Sequence, residues 1–179
     1  MVDTKYQDRI TTIQHMNVGS FGLISNEAIG GRHLVFRCQR NGGTEVSQLA
    51  IVFGALGRTN EDIAPYIVRA DADYWGDETV LEVSNLLLQT DLTKIRMSGS
   101  GFGRRDHLGA VFQTNELSYF QTLGVGVGNS GPLVSLTGEV LENSLHGPTV
   151  ASLNWSLVRN SEYEKLTGMD PIFRWPLKN

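Results

Sequence analysis

The sequence predicts an all-β protein: one antiparallel domain of the β-sandwich, jelly-roll or barrel kind, with one or two short helices. Three observations carry that expectation. Segments that alternate apolar and polar residues recur along the chain, about nine or ten of them at spacings near 8–12 residues. Glycine is abundant, with 20 among 179 residues, and supplies the turns between them. Charged residues make up only 19% of the chain, which disfavours long, solvated surface helices.

The elements follow in order. Val2, Tyr6, Ile10 and Ile13 stand at helical spacing, although Thr11-Thr12-Ile13 also suits a strand, so the first segment reads as a short helix or a docking arm. Residues 17–31 read as loop with short extended pieces. Residues 32–40 set Leu34, Phe36 and Cys38 against Val35, Arg37 and Gln39. Asn41-Gly42-Gly43 then turns the chain into a second alternating run over 45–54, a β-hairpin. From Tyr66, alternation predicts a strand to Trp75, with Tyr66, Val68, Ala70, Ala72 and Tyr74 on one face. Residues 80–88 form a mostly apolar run that suits a strand buried on both faces, with a short helix as the alternative.

Short strands are predicted near 92–97, 108–113, 117–123, 133–136 and 139–141, with a turn at Thr137-Gly138. Residues 149–159 give the clearest alternation of all, through Ala151, Leu153, Trp155 and Leu157. Ser161 with Glu164 has the form of a capping box, and Gly168 would stop a helix of under two turns. Residues 1–179 thus read as a single β-rich domain, with 1–31 an N-terminal arm and loop region. Residues 169–179 form a C-terminal tail that packs on the core or on a neighbour. Its apolar residues Ile172, Phe173 and Trp175 are the candidate interface.

A formal net charge of −4 and a lone Arg104-Arg105 pair argue against a general nucleic-acid binder. The single cysteine, Cys38, permits no intrachain disulfide and reads as a buried small hydrophobe. Residues 1–20 lack the apolar stretch of a signal peptide, and no run has the length of a membrane span. The expectation is a protein cytoplasmic at synthesis, whose destination can be a virion or assembled particle. His15, His33, His107 and His146 show no metal-ligand spacing, and neither a metal nor a cofactor is expected.

Two motif-like strings fall in residues 124–132. Gly126-x-Gly128-x-x-Gly131 matches the dinucleotide fingerprint by letter, but a strand-like segment follows where that site needs a helix. Gly128-Asn129-Ser130-Gly131-Pro132-Leu133-Val134, followed by Gly138-Glu139-Val140, resembles the nucleophile segment of chymotrypsin-like serine proteases of the bacterial periplasmic type. The resemblance implies Ser130 as nucleophile, with the Ser130 and Gly128 amides as oxyanion hole. Thr90-Asp91-Leu92 resembles the segment carrying that family's aspartate, leaving His33 or His15 as base. One glycine after the serine is missing, and Asp91 and Ser130 stand only 39 positions apart. The bare face of Gly124, Gly126 and Gly128 instead describes a close-packing strand and turn.

Asp71 and Asp73 share one predicted strand end with Tyr74 and Trp75, and acids beside aromatics suit a sugar-binding surface. Three functional expectations result. The first is a structural or attachment protein acting as a homo-oligomer, such as a phage or virus capsid, decoration or fibre component. The second is a lectin-like carbohydrate-binding module using Asp71, Asp73, Tyr74 and Trp75 on a glycan. The third is a serine hydrolase using Ser130, Asp91 and His33.

Overall fold

A computed structural model describes residues 8–26, 31–55, 63–90, 94–97, 109–114, 117–121, 133–141, 149–152, 154–159 and 171–175. Most of them are in strands, and the described strands pair side by side in antiparallel fashion. The all-β expectation holds. The largest sheet runs β1 (Arg9–Thr12), β6 (Thr79–Val83), β2 (Phe21–Asn26), β3 (Gly31–Asn41), β4 (Val46–Ala55), β5 (Ile63–Arg69). A second runs β12 (Val140–Leu141), β11 (Leu133–Ser135), β10 (Leu117–Gln121), β9 (Val111–Thr114), β13 (Thr149–Ser152), β8 (Lys94–Met97). A third runs β15 (Phe173–Trp175), β14 (Trp155–Arg159), β7 (Leu86–Thr90). The helical elements among the described residues are a 3-10 turn at Ile13–His15 and one α-turn, α1, at Asp73–Gly76. No helix among the described residues is long and apolar enough to cross a membrane.

Alternation along β3 and β4 sends Leu34, Phe36, Cys38, Leu49, Ile51 and Phe53 to one face of the large sheet. There they meet Phe120, Trp155, Phe173 and Trp175 from the other two sheets. The rings pack mainly edge to face, with Phe53 centred 5.2 Å from Phe120, 5.3 Å from Trp155 and 5.6 Å from Trp175. Trp155 Nε1 donates to the Gly109 carbonyl at 2.6 Å, so its polar atom is satisfied inside the core. Cys38 is buried here as expected, and burial pushes its thiol up to about 12. The opposite face of the sheet carries a smaller aliphatic core of Ile13, Met16, Ile24, Val35, Ala50, Val52, Ala70 and Val80, with Trp75 against it.

Two long predicted strands prove to be two strands each. The run 80–88 breaks at Ser84-Asn85, where Asn85 takes a left-handed φ of 59°. β6 stays in the large sheet and β7 joins the small one. The Asp8 carboxylate staples that break, accepting from the Ser84 amide at 3.3 Å and from Arg159, which itself donates to the Ser84 carbonyl at 3.2 Å. Residues 149–159 likewise divide into β13 and β14, in different sheets.

Residues 9–15 of the N-terminal segment are strand and 3-10 turn rather than helix, and the predicted loop at 17–31 contains β2. Beyond Phe36, β2 no longer pairs with β3, and the turn at 135–139 takes its place. Gln39 N donates to the Gly138 carbonyl at 2.8 Å, and Gln39 bridges Glu139. Gly138 has φ +95°, and a Cβ there would lie 2.7 Å from Gly19 N. Only glycine fits this seam between two sheets. The stretch 124–131 and the predicted helix after Ser161 lie outside the described residues.

Candidate functional site

Ionised groups placed in an apolar layer must be paired or hydrogen-bonded, so their partners mark where polar structure has been built. Glu82 sits on β6 in phase with Val80, and only 6% of it is exposed. Oε1 accepts from the Asn17 amide at 2.9 Å, Asn17 Nδ2 at 3.0 Å and Ser20 Oγ at 2.7 Å. Oε2 accepts from Arg9 through Nε at 3.0 Å and through Nη2. Burial would raise this carboxyl, but the bonds from Ser20, Asn17 and Arg9 outweigh it and hold it below the ordinary glutamate value. Glu82 is therefore a fixed anion with both oxygens occupied, unsuited to moving protons.

Beside it opens a cleft of about 780 Å³, a volume suited to a small ligand. It lies where the three sheets meet. Phe21 and Val83 come from the large sheet, Leu86, Leu88 and Leu157 from the small one, and Leu136 from the turn after β11. Its polar wall is Asp8, Arg9, Asn17, Ser20, Glu82 and Ser84. Asp8 binds Arg159 through both oxygens, one of these bonds at 2.8 Å, and is held below the ordinary aspartate value chiefly by it. Ser84 Oγ is closed off from solvent and has no hydrogen-bond partner among the described residues.

The sequence pointed elsewhere. The strand expected to reach Trp75 ends at Arg69, with Ala70 N donating to Gln48 O at 2.9 Å in the first turn residue. Asp71, Asp73, Tyr74 and Trp75 therefore share no strand face: Asp71 lies in the turn and the other three in α1. Aspartates compete for backbone hydrogen bonds and favour turns and helix starts over strands. Asp71 accepts from Arg69 Nε at 3.1 Å and Nη2 at 3.0 Å. It lines a second pocket of about 530 Å³ with Arg40, Glu45, Ser47, Gln48 and Arg69. Trp75 is half-buried against the aliphatic core.

Of the residues that the protease resemblance implicates, Asp91 and Ser130 lie outside the described residues. His33, its candidate base, is 4% exposed and packs on Gly54, where a Cβ would lie 1.7 Å from His33 Nδ1. His15 is exposed, 2.8 Å from Thr12 Oγ1. Phe173 and Trp175 are core residues of their own chain, paired through β15 to β14, with Ile172 packed against them. Among the described residues, no group of three or more His, Cys, Asp or Glu is placed to hold a metal ion.

The cleft was missed because its polar residues come from distant parts of the chain. One signal was present: Glu82 is a lone acid inside the apolar run Val80-Leu81-Glu82-Val83, and such a residue must find donors. The chain matches no protein-family model, no curated protein and no solved structure with which it was compared.

Proposed function

We propose that this protein is a non-catalytic structural or attachment component that works as a homo-oligomer, of the kind that builds, decorates or tips a phage or viral particle. The observation that carries this reading is an apolar row at an open sheet edge. Ile10 on β1 is 78% exposed, and its register partner Leu81 on β6 is 37% exposed. β1 is the end strand of its sheet among the described residues, so its outer backbone groups face outward. A second copy laid antiparallel along β1 would continue the sheet and cover the row with an identical patch. The aromatic core drawn from three sheets supports the sandwich or jelly-roll form that such a role uses. The engagement of Asp8, Glu82 and Asp71 by arginines supports a structural use of those acids.

Light scattering on the purified chain tests the proposal. The expected result is a defined oligomer that dissociates in Ile10→Lys while circular dichroism stays unchanged. A wild-type monomer at every concentration would overturn it.

A further inference from the structure

We infer that the cleft at the junction of the three sheets binds a neutral saccharide, one ring face seated on its apolar wall and the hydroxyl edge held by its polar wall. The lining supplies both kinds of surface: the apolar side chains of Phe21, Leu86, Leu88 and Leu136, and the polar groups of Asn17, Ser20, Ser84 and Asp8. A pyranose has the matching division, with C–H groups on its faces and hydroxyls around its rim. Charge decides between ligand classes. Asp8 is paired with Arg159 and Glu82 with Arg9, so among the described residues the polar wall carries no uncompensated charge to attract an ion.

Its hydrogen-bonding capacity is only partly spent. Glu82 is saturated by Asn17, Ser20 and Arg9. Asp8 Oδ2 accepts from Arg159 and keeps lone pairs for a ligand hydroxyl. Ser84 Oγ has its capacity unused among the described residues, and a serine changes χ1 at little cost. A hydroxylated ligand would satisfy a group whose isolation is otherwise unfavourable. Self-association is a separate matter, because it runs along the outer edge of β1 and neither Ile10 nor Leu81 lines the cleft.

The experiment uses the full chain against an array of immobilised glycans that includes neutral, uronate and sialylated members. Calorimetry on the best hit then compares wild type, Ser84→Ala and Asp8→Asn. The wild type is expected to prefer neutral members, and Ser84→Ala to bind roughly tenfold more weakly, the loss of about one hydrogen bond. Asp8→Asn leaves Arg159 uncompensated and should move the preference toward uronates. Amide shifts in the wild-type spectrum should fall at Asn17, Ser20 and Asn85, which decides the matter even where a variant fails to fold. No hit on the array, a preference for anionic members, or shifts confined to the Asp71–Trp75 turn would each overturn the proposal.

Discussion

Two charged side chains are buried on the same outer face of the large sheet, and the fold treats them in opposite ways. Glu82 has donors on both oxygens, including an arginine, and lines the larger cleft. Arg37 on β3 is 3% exposed and among the described residues meets only neutral acceptors: the Leu49 carbonyl at 2.8 Å, the Cys38 carbonyl and Gln48 Oε1. Among the described residues its Nε has no hydrogen-bond partner. Burial lowers its proton affinity, while Cys38 and Asp71 act in the other direction. Asp71 is itself engaged with Arg69. The contrast separates a charge that organises its surroundings from one the surroundings merely tolerate. Glu82 ties β1, β6 and the 17–20 loop into one wall, whereas Arg37 could be dispensed with.

The largest effect is expected from Glu82→Leu. The substitution leaves the Asn17 amide and Asn17 Nδ2 without this acceptor, while Ser20 Oγ keeps the Asn17 carbonyl at 2.7 Å and half-exposed Arg9 can turn to water. Unsatisfied buried donors cost about 1–3 kcal/mol each, and partial relief by solvent brings the sum to about 3 kcal/mol. For a chain of this size that lowers Tm by roughly 6–12 °C, readable by circular dichroism. A loss below about 1 kcal/mol would mean that Glu82 organises nothing.

Acid should reveal the same site more gently. Glu82 and Asp8 both have folded-state values below their unfolded ones. Their contribution is therefore present above the unfolded carboxylate values and is lost as pH falls through the folded ones. The urea midpoint is expected to stay level from neutral pH to about pH 5 and to drop below about pH 4. Combining Glu82→Gln with Asp8→Asn should flatten that drop. An equally steep decline in the double variant would place the acid sensitivity elsewhere.

Legibility in the sequence follows the same division between local and distant causes. The β3–β4 hairpin was readable because alternation and the Asn41-Gly42-Gly43 turn lie within one short stretch. The breaks inside 80–88 and 149–159 were not readable, since the apolar run continues beyond the first and alternation continues beyond the second. At Ser84-Asn85 the break is held by Asp8 and Arg159, which are 151 residues apart. The Glu82 wall is equally distant, its donors lying 62 to 73 positions away. The strand expected through Trp75 ends at Arg69 for a local reason: the turn preference of Asp71 and Asp73 outweighs the alternation.

The smallest effect, and the sharpest test of the contrast, belongs to Arg37→Met. Methionine keeps most of the length and apolar stem while removing a guanidinium whose desolvation no carboxylate offsets. Replacing a buried charge by a well-packed apolar side chain is often neutral or stabilising. Gln48 lines the smaller pocket and can turn its freed oxygen to solvent, and the two carbonyls lose only one of several acceptor roles. The variant is therefore expected within about 1 kcal/mol of wild type, roughly 2–4 °C in Tm in either direction. Arg37→Ala should cost more, because it also leaves a cavity under Ala50 and Val35. If Arg37→Met instead loses as much as Glu82→Leu, the bonds from its guanidinium to Cys38, Leu49 and Gln48 hold β3 to β4, and Arg37 belongs with Glu82 as an organiser of the sheet.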